Sequence, residues 1–179
     1  MILLYIIVKG GKTMSEFTID PAILDYFQTI KNFCQLISEE YDSEFDEPMT
    51  MEQIQAWEKE NDFVLPDQMK SWYLLTSSAY IANGYFEIYE PFVGCYKKDD
   101  DVVVFASIIG DGEEAMILRE TGEMFSDFDG MRDDFEDFTY FLDKVLIDLE
   151  EKAEECLGED WEAIYDERFG KDDDSSDED

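Results

Sequence analysis

The sequence predicts an α+β fold: an antiparallel sheet of four to six strands packed with N-terminal helices and a long C-terminal helix. Two observations carry this prediction. Helical spacing of apolar residues prevails up to Leu75 and returns at Phe135, whereas residues 85–125 hold short β-branched and aromatic runs broken by closely spaced turn signals. Such short loops leave no room for crossover helices, so a meander is expected. A third observation makes folding itself expected: 45% of the 179 residues are apolar and 15% aromatic, and a chain of this length buries about two-thirds of its unfolded surface without staples.

Each element has its own justification. Asp20-Pro21 supplies a cap and a first-turn proline, and Ile23, Phe27, Ile30, Cys34 and Ile37 recur in steps of four and three. Residues 42–47 form an acidic loop closed by Pro48. Thr50 and Gln53 make a capping box for a second helix with Ile54 and Trp57 on one face, ended by Asn61-Asp62. Phe63, Val64 and Leu65 link it to a third helix, in which Pro66 occupies the first turn and Met69, Trp72 and Leu75 form the buried stripe.

Strands are expected at 85–89, 92–96, 102–109, 115–118 and 123–125. Their turns fall at Glu90-Pro91, 97–101, Asp111-Gly112 and Thr121-Gly122, and the wholly apolar run 102–105 marks a central strand. Gly130 is read as the end of the sheet. Phe135, Phe138, Leu142, Val145 and Leu149 then give the closing helix, continued by Ala153, Cys156 and Leu157 to a left-handed cap at Gly158. Asp133, Asp134, Glu136 and Asp137 are placed at its favourable N-terminal end, while Glu150, Glu151, Glu154 and Glu155 crowd the other, each costing roughly a few tenths of a kcal/mol. Trp161, Ile164, Tyr165 and Phe169 form a last short helix.

Residues 14–170 are expected as one domain, with Met14 as the working start. Residues 1–13 are read as a non-native or disordered extension and residues 171–179 as a disordered acidic tail. The first eight residues are all apolar, but eight is far short of the roughly 20 that span a bilayer. No basic segment precedes them, as a signal peptide would require.

Charge is the unusual feature. Forty-seven acids against 13 basic residues give a net charge of −34, and the tail's six acids and one lysine leave −29 on residues 1–170. Such a field repels phosphate backbones and anionic membranes and attracts basic proteins. No direct nucleic-acid or membrane partner is expected, and no oligomeric state is implied.

The chain has no histidine, which removes histidine triads, HExxH zinc sites and the usual proton shuttle. Cys34, Cys95 and Cys156 have no metal-site spacing. All three are read as core residues, and reduced thiols point to a cytoplasmic protein. Adjacent acids such as Asp133-Asp134 arise by chance among 47 carboxylates. In Asp127-Phe128-Asp129-Gly130 the glycine comes too early for a calcium loop, and no glutamate closes it. Neither catalytic residues nor a metal or cofactor site is therefore assigned. Tyr80, Tyr85, Phe86, Tyr89 and Tyr96 gather in the first strands; about half are expected to alternate into the core, and Trp57 and Trp72 to anchor it. The candidate partner-binding residues are Tyr85 and Tyr89 with the acids Asp99, Asp100, Asp101, Asp111 and Glu113.

The run from Met51 to Leu75, with Glu58, Leu65-Pro66 and Lys70-Ser71-Trp72-Tyr73, resembles the SUKH superfamily. Ile109-Gly110-Asp111-Gly112, Ile117-Leu118, Gly122 and the apolar residues from Phe135 to Leu146 follow the family's order of strand, turn, strand and closing helix. The resemblance covers roughly residues 50–147. It departs where the family places Asn-Gly after the Leu-Pro helix: here Ser77-Ser78 stands there, and Asn83-Gly84 comes later. The resemblance implies a non-enzymatic protein binder, either an immunity protein that neutralises a polymorphic toxin, here a basic toxin domain, or a regulatory adaptor with several partners as in the family's fungal branch.

Overall fold

The structure is a computed structural model that describes residues 17–97, 100–109 and 112–170. The expected extension at 1–13 and tail at 171–179 lie outside the described residues. Helix α1 (Pro21–Leu36) begins where Asp20 accepts a hydrogen bond from the Ala22 amide at 2.9 Å. Helix α2 (Met51–Asn61) carries the complete capping box, Gln53 Oε1 accepting the Thr50 amide at 2.7 Å, and ends with Asp62 in the left-handed region. In α3 (Asp67–Tyr73) Pro66 stands at the cap, one residue before the first turn, and Leu75 lies beyond the helix, half-buried.

Glu58 ties α2 to α3. Its Oε1 accepts the Leu65 amide at 2.9 Å and meets Lys70 Nζ at 3.2 Å. This fixes the apolar link and sets Trp72, fully buried, edge-on to Phe27 at 5.5 Å and to Phe138 at 6.0 Å.

Among the described residues the sheet has seven strands, against the four to six expected. They are β1 (Glu44–Phe45), β2 (Ala79–Ile81), β3 (Phe86–Tyr96), β4 (Asp100–Ile108), β5 (Glu113–Leu118), β6 (Met124–Phe128) and β7 (Met131–Phe135). Each pairs antiparallel with the next, in chain order. β1 and β2 are too short to show an alternating pattern, and they pair because the 46–47 and 76–78 segments are stitched together. Asp46 N donates to Ser78 O at 3.1 Å, and Thr76 Oγ1 donates to Asp46 O at 2.9 Å.

Two punctuation marks were exchanged. Glu90-Pro91 is a bulge inside one long strand: pairing with β4 jumps from Ile88↔Ala106 to Phe92↔Val104, and Pro91, lacking an N–H, sits in the gap. The buried Tyr73 hydroxyl donates to the Tyr89 carbonyl there, at 2.9 Å. Asp129-Gly130, with φ of 49° and 84°, is a two-residue hairpin turn that continues the sheet into β7. Helix α4 (Phe138–Leu157) consequently starts after Phe135, and Asp133 and Asp134 belong to β7. Asp137 caps α4: desolvation raises its carboxyl pKa, but hydrogen bonds from Thr139, Gln68 and the Tyr140 and Thr139 amides outweigh it and hold the group below the ordinary value. α5 (Trp161–Phe169) follows a single 3-10 turn.

All buried apolar helix residues belong to one core with Phe86, Ile88, Val103, Phe105, Ile108, Ala115, Ile117 and Met124 of the sheet. The helices therefore cover one face. The other face has its own small cluster, Val102, Val104, Met116 and Phe125, which includes no helix residue. Among the described residues no helix is long and apolar enough to cross a membrane.

Candidate functional site

The helix-free face is assembled by register. Phe92, Val104, Met116, Phe125 and Asp134 stand in one row across β3 to β7; Gly94, Val102 and Leu118 form the next. On the other side lies the polar row Glu87, Ser107, Glu114, Asp127 and Arg132. The face is thus an apolar strip with an acidic margin.

Side chains roof that strip without help from a helix. The Tyr96 ring stands 4.8 Å from Phe125, and its hydroxyl donates to Asp127 Oδ2 at 2.8 Å. The Arg132 guanidinium lies 4.0 Å above Phe125 and is paired with Asp134 at 2.5 Å and Glu123 at 3.3 Å. Tyr89 packs beside Phe92, ring centroids 6.1 Å apart. Burial raises its phenol pKa; a hydrogen bond with Ser107 opposes this, and Glu87 and Glu114 add to it. Phe92 remains 46% exposed. At Gly94 the Val104 and Val102 methyls and the Phe92 ring close over the strand, since a Cβ there would stand 3.3 Å from a Val104 methyl, 3.7 Å from one of Val102 and 4.0 Å from Phe92. The exposed Phe92 ring, the half-buried Tyr89 and Tyr96 and the carboxylates offer stacking and acceptors for cations.

The candidates from the sequence divide among three places. Tyr89 lies on this open face. Tyr85 is on the helix side, half-buried, with the largely buried Lys152 3.6 Å over its ring. Glu113 pairs with Ile108 and lines a groove of about 240 Å³ with Phe86, Ile109, Lys144, Ile147 and Asp148. Asp101 is held by Arg119 at 3.2 Å, seven residues along β4 from Ile108 and so about 23 Å away. Asp100 begins β4, and Asp99 and Asp111 lie outside the described residues. The structure therefore brings Tyr85 and Glu113 to one end of the sheet and sets Tyr89 and Asp101 apart from them.

Sequence reasoning missed Phe92, Gly94 and Arg132. The alternation Phe92-Gly94-Tyr96 was a usable signal for a shared face. Nothing local announced Arg132, whose role depends on β7. Cys95, expected in the core, is exposed, because β2 pairs with β3 only as far as Ile88 and leaves residues 92–96 with a neighbour on one side. Cys34 is buried, and burial pushes its thiol up to about 11 against hydrogen bonds with Ser43 and its own backbone and the Lys31 charge. No group of histidine, cysteine or carboxylate residues that could hold a metal ion occurs among the described residues.

Fold and face define an α+β protein with a meander sheet, backed by helices on one side and, among the described residues, open on the other. No protein-family model, curated protein or solved structure gives a significant match to the chain.

Proposed function

We propose that the protein is a non-enzymatic protein-binding domain, an immunity protein that neutralises a basic toxin domain by occluding it. The observation that carries this reading is the sheet face that no helix covers among the described residues: aromatic rings bordered by Glu87, Glu114 and Asp127, on a chain of net charge −34. Rings in such a setting supply binding energy, while the field speeds encounter with a cationic partner and selects against anionic ones. Association is then fast at low salt and slows as salt screens it.

Thiol chemistry is disfavoured at two of the three cysteines. Cys34 is buried, and the Cys156 thiol pKa is raised by burial, Glu40 and Glu155 against the Lys152 charge. The test is recovery of the partner from the native host on immobilised chain at about 0.05 M salt and its release at about 0.5 M. The released protein should be basic, and it should lose its toxic activity when one equivalent of this chain is added back. A neutral partner retained equally at both salt concentrations, or a toxin still active when bound, overturns the reading.

A further inference from the structure

Among the described residues the sheet leaves two stretches of strand edge unpaired, β7 and the outer half of β3, and they are built differently. β7 carries Arg132, Asp133 and Asp134 in its middle, the charged residues that keep an edge from pairing. The outer half of β3, Phe92-Val93-Gly94-Cys95-Tyr96, carries no charge, and Phe92, Val93 and Cys95 are exposed. The devices that blunt edges stand only at its two ends, the bulge with Pro91 at its start and Lys97 just past its end.

The ladder shows which backbone groups this edge offers. Arg119 N donates to the carbonyl of Asp101 directly opposite it, so Asp101 and Val103 bond towards β5. In an antiparallel sheet the alternate residues, Asp100, Val102 and Val104, then bond towards β3 and take Tyr96, Gly94 and Phe92 as partners. Val93 and Cys95 are left with N–H and C=O directed away from the sheet, past the end of β2. Their side chains lie on the helix side, and Phe92, Gly94 and Tyr96 face the other beside the same edge.

Resting on the binding role proposed above, we infer that the outer half of β3 is a docking edge, to which the protein partner adds an extended segment as an eighth strand. The segment hydrogen-bonds the backbone of Val93 and Cys95, and its side chains alternate between the two faces of the sheet, an apolar one packing beside the exposed Phe92 ring on the open face. Charge decides the occupant. The edge lies between Glu90 and Lys97 on a chain of net charge −34, so an apolar strand carrying lysine or arginine is attracted by the field of the whole molecule, whereas a second copy of this chain brings −34 against −34.

The probe is an eight-residue peptide of alternating valine and lysine, used beside the same peptide N-methylated at every residue, so that neither of its strand edges can donate. The two have equal charge, but the second has no backbone amide donors. Added to the full chain, the unmodified peptide is expected to slow amide exchange of Val93 and Cys95 and to shield the Cys95 thiol from alkylation. The N-methylated peptide should bind at least about tenfold more weakly. Cys95→Pro, which removes an outward N–H and leaves the bonds to β4, should weaken binding of the unmodified peptide by a similar factor. Equal binding of the two peptides, protection elsewhere, or no binding overturns the docking edge. So does sedimentation showing that β3 pairs with a second copy, detected as a dimer lost in Cys95→Pro. Salt-dependent retention of a basic partner under any of those results would leave the binding role standing without the added strand.

Discussion

The two faces of the sheet are held by different physics. On the helix side Trp72, Phe105, Phe138 and Phe141 are fully buried, and the rings meet edge-on or stacked at 5.3 to 6.0 Å. On the open side four buried residues are roofed by tyrosines and an arginine that also face solvent. The first face gains stability from volume filled, since interiors tolerate no gaps. The second gains less, and its residues are left able to exchange contacts with each other for contacts with a partner. That contrast teaches where substitutions should cost stability and where they should cost binding.

The sharpest way to break the comparison is at the centre of the covered face. Trp72→Ala should cost about 3–5 kcal/mol, because Phe27, Phe138 and the Glu58 joint surround it and cannot collapse into the space. Urea unfolding measures it, and a loss under 1 kcal/mol would show that this face is not limited by packing. Glu58→Ala should cost roughly 1–3 kcal/mol, since it strips the Leu65 amide and Lys70 of their shared acceptor in a poorly solvated joint. Glu58→Gln, which keeps an acceptor, should recover part of the loss in the same measurement.

These costs fall in the part of the fold that was most legible in the sequence. Capping at Asp20 and Thr50 and the stripe of α1 are local signals, and the structure forms them as read. What was illegible was decided by partners distant in sequence. Glu90-Pro91 reads as a turn until β4 is there to pair on both sides of it. Asp129-Gly130 ends the sheet only for a reader without β6 opposite β7. The three-residue step from Phe135 to Phe138 matched a helix although Phe135 reaches the core from a strand. The candidate site suffered most, because facing is a property of register: Tyr85 and Tyr89, four residues apart, lie on opposite faces of the sheet, and acids grouped by sequence sit at opposite ends of β4.

On the open face the largest effect expected is at Arg132. Its guanidinium covers Phe125 and is held by Asp134 and Glu123, so Arg132→Ala should cost about 1 kcal/mol, a cation–π contact plus exposed ion pairs. Arg132→Lys should restore less than the whole, because an ammonium cannot lie flat on the ring while bonding both carboxylates. A cost equal to that of Trp72→Ala would erase the distinction between the faces.

The smallest change in stability and the most informative one is expected at Phe92. It is 46% exposed and touches Tyr89 at the rim of the strip, so Phe92→Ser should alter unfolding free energy by about 0.5 kcal/mol or less. If the open face is where the partner sits, the same substitution should weaken binding at least about tenfold, because a ring at the centre of an interface carries far more energy bound than free. Calorimetric titration against the recovered partner, beside urea unfolding of the same variant, separates the two quantities. Affinity unchanged in Phe92→Ser but lost in a charge reversal on the helix side, such as Asp148→Lys in the groove with Glu113 and Ile147, would move the binding surface to the covered face and leave the open one as a surface that happens to have no helix.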